Sequence, residues 1–247
     1  MKTMAIPRMG LCAVLLLALA ATLPGCDRKQ RLAEQAAAQA AVAEDAAKQA
    51  EAAFDAAIAQ QNWALAKAQG DVLLAQYPQT AAAARVRKRF DAVAGKAEAA
   101  REQSRTAALW SYNREPVKGG TQLSASIYAK DDIDVDGSDA KPVRLIFRDH
   151  PSWGKSAYLV LQAGDFDCYG GCRVKVAVDD AAPKAMAASR PKTDEAIAMF
   201  IEDERALWRM TRDAKTLQVE FPVKGGGTRK ALFEVGGLDR TQLPGWD

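Results

Sequence analysis

The spacing of apolar residues along the chain changes once, near residue 110. Before this point apolar residues recur every three or four positions, which is the period of a helix with one buried face. After it they alternate with polar residues, as Val174, Val176 and Val178 do, which is the period of a half-buried strand. The pattern therefore predicts an α+β protein, with a helical domain over residues 26–109 and a β-rich domain over residues 110–247.

Three helices are expected in the helical domain. The first, over residues 31–60, consists mainly of Ala, Gln, Glu and Lys, which are strong helix formers. Its apolar face is thin until Phe54 and Ile58, so we expect its first part to be an exposed stalk or a weakly packed coil. A second helix is expected over residues 63–76, and a third follows up to the end of the domain.

The middle of the helical domain carries a motif that is similar to a known repeat. Residues 52–84 resemble a tetratricopeptide-type hairpin: Trp63 opens the second helix, Ala66 lies where two helices would cross closely, and Tyr77-Pro78 closes the unit. The sequence contains one such unit, whereas a solenoid needs about three. The alternative is a plain helical hairpin packed on a third helix, which makes the domain a three-helix segment.

The β-rich domain is expected to be β-sandwich-like, with one short helix. Alternation and turn residues predict the strands, and Gly225-Gly226-Gly227 is expected to turn the last two into a hairpin. The short helix is expected over residues 203–213. The seven predicted strands cover residues 123–128, 143–148, 157–162, 173–178, 197–201, 217–221 and 231–235.

Cys168 and Cys172 are separated by Tyr-Gly-Gly, between the predicted strands 157–162 and 173–178. We expect these two strands to form a hairpin whose register a Cys168–Cys172 disulfide holds, since the glycines allow a tight reversal. The two cysteines could instead belong to a metal site or form a redox dithiol. A metal site needs about four ligands, and a redox dithiol usually has two intervening residues at a helix start.

The order of motifs in the β-rich domain resembles a small domain found in exported and envelope-associated bacterial proteins. The matching segments are "VRLIFRDH", "CRVKVAVDD", "MFIEDE", "LQVEF" and "FEVGGL", and the resemblance covers about residues 110–240. These are core and turn positions. The resemblance implies a binding or accessory module and offers no catalytic residue to transfer.

The N-terminal residues have the organisation of an export signal. Lys2 and Arg8 precede an apolar stretch that ends in Leu-Pro-Gly-Cys26, too short to span a bilayer as a mature helix. This ending resembles the lipobox of bacterial lipoproteins. The resemblance implies that residues 1–25 are a signal peptide that is removed and that Cys26 carries lipid, while Asp27 favours retention at the inner membrane. The alternative is an ordinary secretory signal in which the cysteine occurs by chance.

The charge balance limits the classes of partner. The chain has 34 Lys and Arg against 31 Asp and Glu, and two of the basic residues lie in the predicted signal peptide. A nearly neutral mature chain argues against nucleic acid as a partner, because that requires a clear basic excess. Arg85, Lys88 and Arg89 share a face of the third helix, as in a solvated helix face; the alternative is docking to lipid head groups or another anionic envelope polymer.

An acidic segment resembles the start of an EF-hand calcium loop. Asp132, Asp134 and Asp136 stand at its first, third and fifth positions. Asp139 then replaces an apolar residue, and Val143 stands where the bidentate Glu belongs. The alternative is a strand end followed by a turn, with the carboxylates in water.

The sequence contains no motif that specifies an enzyme. His150 is the only histidine and is expected to be an exposed turn residue, and no nucleophile elbow, zinc motif, Walker loop or Rossmann fingerprint is present. We expect no catalytic residue and no cofactor.

Three functional hypotheses follow from these patterns. The first is a membrane-anchored envelope lipoprotein whose helical stalk presents the β-rich domain, as a non-catalytic binding or accessory module, to a protein or cell-wall partner. The second is an envelope glycan hydrolase with two carboxylates about 5–9 Å apart. The third is an inhibitor of a lytic enzyme or protease.

Overall fold

The structure, a computed structural model, describes residues 25–191 and 197–247 and the side chains from residue 28 onwards. It confirms the predicted α+β class, with long helices before residue 110 and mainly strands after it. The helices are α1 (Gly25–Ala59), α2 (Trp63–Gln76), α3 (Ala81–Ala107) and α4 (Glu204–Met210). The strands are β1 (Ser111–Val117), β2 (Gly120–Tyr128), β3 (Ile133–Asp134), β4 (Ala140–Lys141), β5 (Val143–His150), β6 (Gly154–Leu161), β7 (Cys172–Val178), β8 (Lys184–Ser189), β9 (Ala198–Ile201), β10 (Leu217–Pro222) and β11 (Thr228–Phe233).

The three N-terminal helices pack around a small core. Residues 28–42 of α1 are exposed throughout, as the thin apolar face predicts, and burial begins at Ala47. Phe54 is the largest fully buried side chain of this core. Asn62 and Thr80 cap the starts of α2 and α3 by accepting backbone N–H groups, which satisfies donors that a helix start leaves unpaired.

Ion pairs join α1 to α3, and they involve two of the three basic residues that share a face of the third helix. Arg85 donates to both carboxylate oxygens of Glu51, at 2.9 and 2.5 Å, and the Arg89 guanidinium lies 2.8 Å from Asp55. The hydrogen bond from Arg85 holds the pKa of Glu51 below its ordinary value. Arg85 and Arg89 therefore bind a neighbouring helix, which argues against a docking surface for anionic polymers at this position.

Within residues 25–191 and 197–247, nine strands form one antiparallel sheet in the order β1-β2-β5-β6-β9-β8-β7-β10-β11. Along each of the central strands one set of alternate side chains is buried, and the register aligns these sets across strands, as in the pairs Leu145↔Leu159 and Leu159↔Met199. The backbone N–H of Lys130, just after β2, donates to the Leu232 carbonyl of edge strand β11 at 2.7 Å. The sheet is therefore curled around a single core and is continuous, instead of being split into the two sheets of a sandwich.

The predicted hairpin between residues 157–162 and 173–178 is wrong. Strand β6 pairs with β9, and β7 pairs with β8 and β10, so two strands separate β6 from β7. The chain leaves β6, crosses to β7 and returns through β8 and β9, which is a Greek-key connection. Phe166 in the crossing segment packs on Phe221, with ring centroids 5.3 Å apart, and this contact directs the segment towards β10.

Two strands of the main sheet were not anticipated from the sequence. Strand β1 lies at one edge and most of its residues are exposed, so it shows little apolar alternation. Strand β8 consists of Lys-Ala-Met-Ala-Ala-Ser, which has no β-branched or aromatic residue. Both owe their conformation to neighbouring strands and not to their own propensity.

The helical and β-rich halves meet at the end of α3. A Cβ atom added to Gly237 would lie 2.1 Å from the backbone nitrogen of Ala107, so only glycine permits this approach. Arg105 also forms an ion pair with Glu234 at 2.7 Å, and Trp110 enters the core of the sheet. The two halves are therefore in direct backbone contact.

Candidate functional site

The outward surface of the sheet carries a group of aromatic and arginine side chains that we call the arginine–aromatic face. Strand alternation produces it: Leu145 and Phe147 of β5 point into the core, so Arg144 and Arg148 point outwards. The pairing of β5 with β6 and of β6 with β9 then brings aromatic rings to the same surface. The face consists of Tyr128, Arg144, Arg148, Trp153, Tyr158 and Phe200.

Arg148 is the central residue of this face. Its guanidinium carbon lies 5.5 Å from the ring centroid of Trp153 and 5.2 Å from that of Tyr158, within the range of cation–π contacts. Tyr158 in turn packs against Phe200 across the β6–β9 pair, with ring centroids 4.9 Å apart. The guanidinium is thus held by rings and not by a carboxylate.

Arg144 repeats the arrangement four residues earlier on the same strand. Its guanidinium carbon lies 5.4 Å from the Tyr128 ring centroid, and its Nη2 donates to Ser126 Oγ at 2.6 Å. At the rise of a β-strand the two arginines are about 13 Å apart along β5. The face therefore contains two arginines on one strand, each with its guanidinium over at least one aromatic ring.

His150 supports the exposed ring of this face. The expectation that His150 is an exposed turn residue is wrong, because the side chain is buried, with 7% of the residue exposed. Its Nδ1 accepts the backbone N–H groups of Ser152 and Trp153 at 3.1 and 3.3 Å, so in the neutral ring the hydrogen is on Nε2. Trp153 stacks on the imidazole with ring centroids 3.9 Å apart and is 71% exposed. His150 therefore forms the base of an open aromatic platform.

The polar atoms of this face are incompletely paired. Within the described ranges no carboxylate lies within 4 Å of Arg144 or Arg148, and the buried Nε atom of each has no hydrogen-bond partner. Ser156, the cross-strand neighbour of Arg148, also has a buried hydroxyl without a partner. Unpaired buried polar atoms lower stability, so the three atoms found here make this face a candidate site. The outward positions of "VRLIFRDH" were the only sequence signal for it.

Cys168 and Cys172 form the predicted disulfide, with Cα atoms 4.9 Å apart. Cys168 is buried, and Cys172 Sγ lies 3.8 Å from Met199 Sδ on β9, so the loop is tied to the centre of the sheet. Tyr169 at the tip of the loop is 68% exposed. The bond is therefore confirmed, but it closes a local loop before β7 and does not join β6 to β7.

The lipidation site predicted at Cys26 is not tested by the structure. Cys26 lies in the first turn of α1, but its side chain and residues 1–24 of the predicted signal peptide are outside the described part. None of the helices described within residues 25–191 and 197–247 is both long and apolar enough to cross a bilayer.

The acidic segment forms a capped turn. Asp134 Oδ1 accepts the backbone N–H of Gly137 at 2.6 Å, and Asp136 Oδ1 accepts the N–H and hydroxyl of Ser138. The hydroxyl of Ser138 holds the pKa of Asp136 below its ordinary value. Asp132 does not join these carboxylates, and in the described ranges no three His, Cys, Asp or Glu side chains are grouped to hold a metal ion.

A cleft of about 480 Å³ at the junction of the two halves contains two carboxylates, Glu102 and Glu234. The Arg105 guanidinium donates to both, at 2.7 Å in each case. This hydrogen bond holds the pKa of Glu102 below its ordinary value. A glycosidase needs one carboxylic acid with a raised pKa to protonate the leaving group, so Glu102 is poorly suited to be that acid.

Comparisons with known proteins give no family assignment. The sequence matches no known protein family and no curated protein. A crystal structure of invasion associated protein B from Bartonella henselae matches with 15% sequence identity and a TM-score of 0.36, covering 52% of this chain and 85% of that one. This similarity is too distant to indicate a function.

Proposed function

We propose that the protein is a membrane-anchored cell-envelope lipoprotein whose β-rich domain is a non-catalytic binding module. The observation that carries the binding role is the arginine–aromatic face. Its two guanidiniums are held by rings, and within the described residues no carboxylate neutralises them. A surface with open aromatic rings and positive charge is suited to recognising a protein or cell-wall partner by stacking and charge-assisted hydrogen bonds.

The proposed anchor rests on the resemblance of Leu-Pro-Gly-Cys26 to a lipobox. Residues 28–42 of α1 are exposed, and at 1.5 Å per residue they measure about 22 Å. In the proposal this segment separates the folded body from the lipid, and Arg28, Lys29 and Arg31 lie close to the head groups, where a cation gains about 1 kcal/mol from an anionic surface.

A second candidate function is inhibition of a lytic enzyme or protease. The observation that favours it is the short loop closed by Cys168 and Cys172, which presents the exposed side chain of Tyr169. A pre-ordered loop of this kind binds with little loss of conformational entropy. The hydrolase hypothesis has less support, because its best carboxylate pair, Glu102 and Glu234, is bound by Arg105.

Fractionation tests the anchor. With Cys26→Ser, the protein is expected to move from the membrane fraction to the soluble fraction, and mass spectrometry of the wild-type N-terminus is expected to find acyl chains on Cys26. Retention of the variant in the membrane, or an unmodified N-terminus that begins elsewhere, would contradict the proposal.

Crosslinking in intact cells tests the binding role. A photoreactive amino acid at position 153 is expected to capture a partner, whereas the same amino acid at position 173, outward on β7 and away from the face, is not. Capture from position 169 alone would favour the inhibitor, since that residue lies in the disulfide loop. Equal capture from all three positions would mean that no specific face exists.

A further inference from the structure

We infer that the arginine–aromatic face binds a polysaccharide that carries carboxylate groups. This inference rests on the binding role proposed above and specifies its ligand. It follows from three properties of the face: the guanidinium groups, the open aromatic platform at Trp153, and the recurrence of a guanidinium beside a ring along β5.

The guanidiniums select carboxylates. The Nε atoms of Arg144 and Arg148 are buried and Arg144 Nη2 donates to Ser126, so the donors that remain for a ligand are Nη1 of Arg144 and both Nη groups of Arg148. The guanidinium of Arg148 lies over the rings of Trp153 and Tyr158, and that of Arg144 lies over the ring of Tyr128. The fork of donors on an arginine matches the two oxygens of a carboxylate, which favours acidic ligands over neutral ones.

The aromatic platform selects flat rings. The Trp153 ring stacks on the His150 imidazole, with ring centroids 3.9 Å apart and an interplanar angle of 14°, and the residue remains 71% exposed, so most of its surface is available. A sugar ring presents a flat surface of C–H groups with hydroxyls at its rim, which complements an aromatic ring that is apolar at its face and polar at its edge. An acidic peptide offers carboxylates on flexible side chains but no succession of flat rings.

The recurrence of an arginine beside an aromatic ring along β5 favours a polymeric ligand. Arg144 with Tyr128 and Arg148 with Trp153 each place a guanidinium over a ring that is at least about half exposed, and the two arginines are about 13 Å apart on one strand. A ligand that satisfies both must present a carboxylate and a ring face at regular intervals, as an acidic polysaccharide does. The nearly neutral chain also lacks the basic excess that a nucleic acid or polyphosphate requires.

Binding of the purified full chain to defined polymers tests this inference. The probes are polygalacturonate, the same polymer with its carboxylates reduced to alcohols, and poly-L-glutamate, each measured by calorimetry at low and high salt. We expect binding to polygalacturonate that weakens with salt and falls at least about tenfold after carboxyl reduction, because a charge-assisted hydrogen bond is lost at each site.

Variants link the binding to the face. Arg148→Gln and Trp153→Ala are each expected to weaken polygalacturonate binding about tenfold, and Arg148→Lys nearly as much, because lysine keeps the charge but lacks the fork. Arg173→Gln is the matched control, since Arg173 is an exposed outward arginine of the same sheet. Thermal unfolding of every variant verifies that it is folded, and Trp153→Ala removes a mainly exposed side chain.

The outcomes separate the ligand class from the binding role. Poly-L-glutamate bound as tightly as polygalacturonate, with the same loss in Arg148→Gln, would overturn the polysaccharide while the binding face stands. Equal weakening by Arg173→Gln would overturn the site. If polygalacturonate does not bind but crosslinking from position 153 still captures a partner, the inference on the ligand is overturned and the proposed function is retained.

Discussion

The helical and β-rich halves of this molecule are stabilised in different ways. The helical half has few large apolar side chains: Phe54 and Leu73 are fully buried, and much of the remaining core is alanine. Its helices depend on intrinsic propensity, end caps and the ion pairs between α1 and α3. The core of the β-rich half contains many large aliphatic side chains and a group of rings, with Trp208, Trp246 and Phe147 in mutual contact at centroid distances of 5.0 to 5.5 Å.

This difference indicates that the β-rich half provides most of the stability, whereas the first part of α1 provides length. Burial of apolar area is the main favourable contribution to folding, so the β-rich half is expected to unfold last. The exposed first part of α1 buries little, and in the proposed function it is the spacer between the lipid and the folded body. The rigid half also carries the arginine–aromatic face, and side chains on a sheet are held more precisely than side chains on a loop.

The largest expected effect comes from truncating one ring in each core. Phe147→Ala removes the ring that contacts Trp208 and Trp246, and Phe54→Ala removes the corresponding ring of the helices; each should cost about 3–5 kcal/mol. In urea titrations Phe147→Ala should shift the near-UV signal of the buried tryptophans. Phe54→Ala should shift mainly the helical far-UV signal. Identical shifts of both signals in both variants would show that the halves unfold as one unit.

The next effect concerns the contact between the halves. Gly237→Ala places a Cβ about 2 Å from the backbone of α3, where no side chain can move away, and should destabilise by about 3 kcal/mol. Gly95→Ala is the control: it has open space around the new Cβ and should stabilise α3 by about 1 kcal/mol. Limited proteolysis near residue 108 should be faster in Gly237→Ala. An unchanged rate would mean that the contact is not formed in solution.

Loss of the disulfide should have a smaller effect, confined to the β-rich half. Replacing Cys168 and Cys172 by serine removes a constraint on a five-residue loop and should cost about 2 kcal/mol in unfolding free energy. The helical signal should not change. Mass spectrometry of non-reduced peptides should find the two cysteines joined, and free thiols on both would contradict the bond.

The smallest expected effect is the loss of unfolding free energy in acid. One ion pair in each half allows this loss to be compared between the halves. The hydrogen bond from Arg240 lowers the pKa of Asp247 to about 2, and that from Arg85 lowers the pKa of Glu51. A lowered carboxylate pKa gives stability that is complete above the ordinary value of about 4 and is lost as the pH falls towards the folded-state value. Because the Asp247 side chain is half exposed, its contribution should stay below about 1 kcal/mol.

Variants separate the two contributions to acid sensitivity. Asp247→Asn should reduce the loss of tryptophan-reported stability between about pH 5 and about pH 2, and Glu51→Gln should do the same for the helical signal. Urea midpoints at several pH values measure both. Acid sensitivity equal to that of the wild type in Asp247→Asn would show that Arg240 does not perturb this carboxylate.

Local patterns explain which elements were predictable. The boundary between α1 and α2 and the boundary between α2 and α3 depend on short-range effects, because Asn62 and Thr80 cap the helices that begin directly after them. The β10–β11 hairpin at Gly225-Gly226-Gly227 forms as expected, because a short turn leaves adjacent strands little choice of partner. The insertion of β8 and β9 between β6 and β7 was not predictable, because that choice depends on packing between residues far apart in sequence.

The candidate site was likewise only partly predictable from the sequence. The outward positions of Arg144 and Arg148 could be read from strand alternation, but the rings that stack on them come from β2, β6 and the turn at Trp153, and only the sheet register brings these together. The burial of His150 beneath Trp153 likewise depends on the turn geometry.

The amino-acid sequence by itself determined the helical and β-rich halves, the exposed start of α1 and the Cys168–Cys172 bond, since periodicity, composition and close spacing act locally. Only the tertiary structure decided the order of strands, the single curled sheet, the backbone contact at Gly237 and the arginine–aromatic face. These features depend on which distant segments bury their apolar sides together, and that choice is made by the core as a whole.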